Sequence, residues 1–190
     1  PEWFIESCKK ISYLFPRAHA VAYVMMAFRI AWFKVYHPLA FYAAYFSIRA
    51  KAFDLRIMTG DLKTQLTEFN RIKALDRAAS PKDKDLMSAL EVSMEMYQRG
   101  YRFINVDIQH SEARRFSIKD GALLPPFLAI DSLGETVADA IVEERNERPF
   151  TSLKDLQRRC KVSNTIIDLM KDLKCCGELL EDEQMSLFGA

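Results

Sequence analysis

From residue 2 to residue 49 large apolar side chains recur with few polar breaks. Trp3, Phe4, Cys8 and Ile11 fall on one side of a predicted helix over 2–13, beside Lys9 and Lys10. Pro16 interrupts it. A second helix is predicted over 18–36, and it ends because His37 precedes Pro38 and residues before proline avoid helical dihedrals. A third, rich in aromatic residues, follows over 39–49, and the three are expected to share one core. Thr59 and Gly60 punctuate the path to a helix of mixed charge over 61–79. Ser80 and Pro81 then give a capping hydroxyl followed by proline at the first helical position, and Gly100 gives a stop.

At Tyr101 the pattern shifts to alternation. "YRFINVDI" and "RRFSIKDGALLPPF" alternate apolar and polar residues around Asp120-Gly121, the composition of a tight hairpin turn, and predict a small strand element. Beyond Pro125 and Pro126 helices return over 135–145, 152–159 and 163–174, with Gly177 as the terminator. A tail begins at Glu178. The stretch from 127 to 177 reads as two helical pairs in succession.

Composition narrows the chemistry. With 190 residues and 49% hydrophobic side chains the chain can bury a real core. Its 27 basic and 26 acidic residues leave a net charge of +1, so any attraction to nucleic acid must be local. Cys8, Cys160, Cys175 and Cys176 show no C-x-x-C spacing, and the adjacent pair suits a disulfide poorly, which predicts reduced thiols. A zinc site would require His19, His37 or His110 to converge on those thiols from distant segments. The first residue is Pro1 and no charged-then-apolar leader follows, which fits a cytoplasmic fragment of a longer protein. Between Ala18 and Ile48 the apolar run is broken by Arg29, Lys34 and Pro38, so a packed helical layer is expected and no membrane span. No carboxylate pair is placed for two-metal chemistry and no Ser/His/Asp or Cys/His relay stands out, so neither catalytic residues nor metal ligands are assigned.

Three stretches carry candidate chemistry. "IDSLGETVADAIVEER" has the spacing Ile-x-Ser-Leu-Gly-x-x-x-Ala-x-x-Ile of a helix-hairpin-helix, with Ser132 in place of the first glycine of the usual Gly-apolar-Gly turn. A glycine at a helix start lets a phosphate approach free backbone N–H groups, helped by the helix dipole. Such contacts position nucleic acid without reading its sequence. Nearby Arg145, Arg148, Lys154, Arg158, Arg159 and Lys161 stand among Glu143, Glu144, Glu147 and Asp155, the composition of a solvated mixed-charge face that could also flank a phosphate track. "SCKKISYLFPRAHAVAY" brackets a broken helix junction with Lys9, Lys10, Arg17 and His19, groups suited to a polyphosphate. Finally, "QMSLF" combines a polar anchor with adjacent Leu187 and Phe188, the form of a short peptide whose two large side chains enter a partner's pocket, while Glu181, Asp182 and Glu183 keep it soluble when unbound.

Together these segments resemble the C-terminal part of the alpha subunit of bacterial DNA polymerase III of the PolC type. "ESCKKISYLFPRAHAVAYVMMAFRIAWFKVYHPLAFYAAYF" is similar to the end of that family's fingers, "YRFINVDIQHS" and "IKDGALLPPF" to the connection beyond, "AIDSLGETVADAIVEER" to its duplex-binding region, and "QMSLF" to its sliding-clamp peptide. The resemblance implies a mainly α fold: a helical fingers bundle over 1–100, a duplex-binding domain with a small β-hairpin element and tandem helix-hairpin-helix over 101–177, and a flexible acidic tail over 178–190. It implies a DNA-directed DNA polymerase whose two magnesium ions are held by palm aspartates before Pro1, so that this fragment alone is inactive and holds no cofactor. Lys10, Arg17 and His19, with Tyr23 behind them, are implied near the incoming deoxynucleoside triphosphate. Ser132, Gly134, Glu135 and Thr136 map to the hairpin that meets double-stranded primer-template DNA, and Gln184, Met185, Leu187 and Phe188 to the contact with the sliding clamp, the beta subunit. The second helical pair, lacking a clear Gly-apolar-Gly turn, reads as packing support. The competing expectation is a non-enzymatic helix-hairpin-helix adaptor that joins DNA to a protein partner, using the first 50 residues purely as core; a helical enzyme with its own site is weaker still.

Overall fold

In the computed structural model, which describes residues 1–10 and 17–182, the chain is mainly helical. The order is α1 (Glu2–Lys10), α2 (Arg17–Tyr36), α3 (Pro38–Ile48), α4 (Leu55–Met58), α5 (Leu62–Leu75), α6 (Pro81–Gln98), β1 (Ser117–Lys119), β2 (Ala122–Leu124), α7 (Glu135–Glu147), α8 (Leu153–Cys160) and α9 (Asn164–Asp172), with single 3-10 turns at Asp76–Ala78 and Phe127–Ala129. Short polar side chains start most of these helices: Asp54, Asp61, Ser80, Ser152 and Ser163 each accept a hydrogen bond from the first turn. Only α4 has no counterpart among the predicted helices. A single turn of four residues carries too little periodicity to be read.

The chain divides into two compact units, Pro1–Phe41 and Tyr42–Ala190. In the first, α1 and α2 bury no side chain, so the expected common core of the first three helices is not formed there. The reason lies in α2, whose apolar residues surround the helix and leave no polar face; such a helix needs partners on every side. Its aromatic side chains instead pack along its own axis, Trp32 lying 5.1 Å from Tyr36 and 5.2 Å from His37. At 20 residues, with a mean hydropathy of 1.2 in its most apolar window, α2 also reaches the length and composition of a bilayer-crossing helix. This corrects the expectation that no run is long enough. Arg29 and Lys34 do not interrupt the helix because both are good helix formers.

The second unit receives Tyr42 and Phe46 of α3. Phe46, Phe53, Phe103 and Phe116 form a cluster with ring centroids 4.9–6.2 Å apart, so residues from 42 onward are held to the segment after 100. Deeper in the helical layer, Gln65 is buried, donating from Nε2 to the Met58 carbonyl at 3.0 Å and accepting from the Ser93 hydroxyl at 2.6 Å, which locks α5 to α6. The hairpin forms as expected: β1 and β2 pair antiparallel, and Asp120 and Gly121 turn with φ of 51° and 74°. "YRFINVDI", by contrast, joins the sheet only through a bridge from Phe103 to Leu123. Beyond it, the Asn105 side chain accepts from the Val106 amide at 2.9 Å, a local bond that competes with a ladder.

Around Phe127, Ile130, Leu133, Ala138 and Ile141 a second core gathers Leu153, Leu156, Ile167 and Met170 of α8 and α9. Helix α9 ends at Asp172 with Leu173 as its cap; Lys174 follows in the left-handed conformation with φ of 55°, and the Cys175 amide donates back to the Met170 carbonyl at 2.9 Å. Gly177 is therefore a later turn, not the terminator. Past it the chain remains attached: the amides of Leu153 and Lys154 donate to the carbonyls of Leu180 and Glu181 at 2.9 and 3.3 Å, while Lys171 pairs with Glu181 at 2.6 Å and Lys154 with Asp182. Both ion pairs are exposed and so are weak and sensitive to salt.

Candidate nucleic-acid interface

The first hairpin begins from the 3-10 turn at Phe127–Ala129 rather than from a full helix. Ser132 adopts φ of 64°, the left-handed conformation that a glycine would favour. Leu133 then buries its side chain, and Gly134 caps α7 in an extended conformation. Gly134 has φ of −74°, so its backbone does not require glycine; a Cβ there would meet nothing within 4 Å. What glycine gives is open approach. No side chain caps α7, and the amides of Glu135 and Thr136 find no acceptor among the described residues, the arrangement that receives an anion at a helix start.

The same geometry recurs 29 positions later. Lys161 is left-handed with φ of 54°, Val162 is buried at 3% exposure against 4% for Leu133, and Ser163 caps α9 with φ of −71° and ψ of 154°, against −74° and 157° at Gly134. The amides of Asn164 and Thr165 are likewise without an acceptor among the described residues. The inward positions repeat as well, Ala138 with Ile167 and Ile141 with Met170, all buried. The turn missing from the second pair in the sequence is present in the backbone. Its two glycine places hold lysine and serine, which hides it from a search for glycines; the repeated apolar spacing was the signal available.

The basic residues divide by what they touch. Arg145 is turned inward, donating to the carbonyls of Ile108 and Ser111 at 3.1 and 2.8 Å and lying over the Phe127 ring, and burial lowers its pKa. Arg159, only 12% exposed, donates to the carbonyls of Glu144 and Arg148, pairs with Glu144 at 2.9 Å and covers the Phe150 ring. Arg148, Arg158 and Arg159 converge on Asp155, whose side chain is wholly buried. Arg145 and Arg159 build the domain, whereas Arg148 and Arg158 reach Asp155 from the solvated face, with side chains 57% and 71% exposed. Lys161 stands exposed at the tip of the second hairpin with no ion pair among the described residues.

Glu135 is not free to act as a ligand. Its carboxylate accepts from Arg114 Nη1 at 2.5 Å, and Arg114 grips Asp139 with Nε at 3.0 Å and with Nη2. Of the residues assigned to this hairpin, Ser132, Gly134 and Thr136 remain open while Glu135 contributes its amide alone. In the first unit, the His19 and Tyr23 rings meet edge-on at 4.5 Å, and no hydrogen bond or ion pair joins Lys10 or Arg17 to them among the described residues. Gln184, Met185, Leu187 and Phe188 lie outside the described residues. No group of three His, Cys, Asp or Glu side chains that could hold a metal occurs among the described residues.

Comparison with known proteins agrees with this geometry. A family model for the helix-hairpin-helix motif matches residues 100–184. The chain is 48% identical over 188 residues to a protein named DNA polymerase III PolC-type from Caldanaerobacter subterraneus subsp. tengcongensis, 47% over 190 residues to that of Streptococcus suis, and 46% over 191 residues to that of Streptococcus pyogenes serotype M12. Each match takes in 99% of this chain and 13% of the relative, so the chain spans about 13% of the length of the curated relatives it matches. Near-half identity from end to end, with the helix-hairpin-helix match over its second part, makes the chain similar along its whole length to one segment of the DNA polymerase III PolC-type proteins.

Proposed function

We propose that the chain is the part of a DNA polymerase that grips the primer-template duplex behind the growing end, helps hold the incoming nucleotide and tethers the enzyme to its sliding clamp. The observation that carries the first of these is the paired hairpins, each offering two open amides behind a left-handed residue and a buried apolar one. Amides of Glu135, Thr136, Asn164 and Thr165 bind phosphates of one duplex, assisted by the Ser132 hydroxyl and the Lys161 ammonium. Binding of this kind is indifferent to base sequence and weakens with salt. Fluorescence anisotropy of a 20-base-pair duplex, titrated with the 190-residue chain between 50 and 200 mM salt, tests it. Unrelated duplex sequences should bind alike, and Gly134→Glu, which sets a carboxylate where the phosphate arrives, should weaken binding about tenfold or more. An unaltered salt curve would refute the hairpin as a contact.

Lys10, Arg17, His19 and Tyr23 face the triphosphate of the incoming nucleotide in this reading. Magnesium belongs to the parent polymerase, where it would stabilise the charge that develops during transfer; the described residues supply no ligand set for it. The polymerase is cytoplasmic, and the apolar surface of α2 serves protein packing rather than a bilayer, since Arg29 and Lys34 would each be costly in hydrocarbon. In the complete enzyme, His19→Ala should raise KM for the nucleotide about tenfold, the loss of one charged hydrogen bond. Unchanged nucleotide affinity would favour the adaptor, which joins DNA to a partner without a nucleotide site.

A further inference from the structure

We infer that Arg114 is the residue that makes the first hairpin receptive to phosphate, by drawing aside two carboxylates that its own helix places there. The inference rests on the reading that this hairpin meets duplex DNA. Helix α7 opens Glu135-Thr136-Val137-Ala138-Asp139, so Glu135 and Asp139, four residues apart, share one helix face, with Glu135 at the first helical position beside the free amides. Carboxylates at a helix start suit the dipole, yet they repel the phosphate those amides would otherwise attract. Left alone, this is a poor anion site.

Arg114 reaches both carboxylates from outside the hairpin. Nε and Nη2 hold the two oxygens of Asp139, and Nη1 holds Glu135 at 2.5 Å, a fork that lysine could not reproduce. Its segment is pinned on both sides: the Leu128 amide donates to the Ala113 carbonyl at 3.1 Å, and the Phe116 amide to the Ser47 hydroxyl at 2.9 Å. The guanidinium is therefore presented by a fixed loop, although half of its side chain is exposed and ion pairs so placed contribute little to stability. A firm anchor for a pair of small energetic value points to an electrostatic task. Comparison within the molecule supports this. At the equivalent places in the second hairpin stand Asn164 and Asp168, with one carboxylate fewer, and among the described residues no arginine fork covers them.

A mutant cycle in the 190-residue chain, read by duplex anisotropy across 50–200 mM salt, tests the role. R114Q should weaken binding about tenfold, since bringing like charges together at an interface costs at least that. In the E135Q/D139N background, where nothing remains to be drawn aside, R114Q should cost less than threefold. The slope of log affinity against log salt should stay the same in all four chains, because Arg114 itself touches no phosphate. Equal losses in both backgrounds, or a slope lowered by about 0.9, would show a direct phosphate contact and overturn the inference. A loss below twofold in the native background also overturns it. Failure of the unaltered chain to bind duplex would overturn the hairpin reading itself.

Discussion

Replacing Asp155 by alanine is expected to destabilise the second unit by about 3–5 kcal/mol, the cost of breaking a buried ion cluster from one side. The carboxylate is wholly buried and accepts from Arg148 at 3.2 Å, Arg158 at 2.8 Å, Arg159 at 3.3 Å and the Thr151 amide at 3.3 Å, while its own amide donates to Ser152 at 3.0 Å. Arg148 and Arg158 can turn to water. Arg159 cannot, because it is 12% exposed and fixed over Phe150 by two carbonyls. Removing Asp155 leaves that guanidinium with Glu144 as its one carboxylate, and it frees the start of α8, on which the chain end from Leu180 to Asp182 is docked.

The effect carries a pH signature. Burial pushes the Asp155 pKa up, but hydrogen bonds from Arg158, the Thr151 amide and Arg159, with the charge of Arg148, outweigh burial and hold it below the usual carboxylate range. A depressed folded pKa means that the contribution is complete above the unfolded value, about 3.9, and disappears as pH falls through the folded one. Urea unfolding of wild type and D155A should therefore differ most at neutral pH and converge below about pH 4. A difference under 1 kcal/mol at pH 7, or one that does not shrink in acid, would show that the cluster is not what holds α8 in place.

Local signals were the legible ones. Ser80 with Pro81, and Asp120 with Gly121, act within four residues, and each does in the structure what its residue type dictates. Ser132 is a subtler case: the motif marks it as standing at a glycine position, and its left-handed backbone emerges only in the fold. The second hairpin was hidden because what forces Lys161 into the same conformation is the burial of Val162 and the cap at Ser163, both consequences of packing. Charges misled for a related reason. Arg145 and Arg159 read as surface residues until the carbonyls and rings they cover are known, and Arg114 lies 21 residues from Glu135. In the first unit, the apolar residues of α2 announce that the helix will be covered. They do not say by what, and α2 buries none of its own side chains.

The second large effect concerns the end of the chain. A fluorescent peptide spanning 178–188 should bind the sliding clamp with micromolar affinity, and Leu187→Ala with Phe188→Ala should abolish it, because two anchor side chains at about 2 kcal/mol each amount to roughly a thousandfold. Unchanged binding by the double variant, measured by anisotropy, would refute the tail as a tether. The structure adds a geometric limit. The chain is held at the start of α8 through Asp182, and six residues can span no more than about 20 Å, so under the tether proposal a pocket that took Phe188 would have to come within that distance of α8. If the exposed pairs Lys171–Glu181 and Lys154–Asp182 give way, the Glu181 carbonyl still holds the chain, and one further residue adds about 3 Å. Under that proposal weak affinity would suffice, since a contact of about −8 kcal/mol confined to so small a volume, with both partners on one DNA, would be re-made faster than the tethered protein could leave.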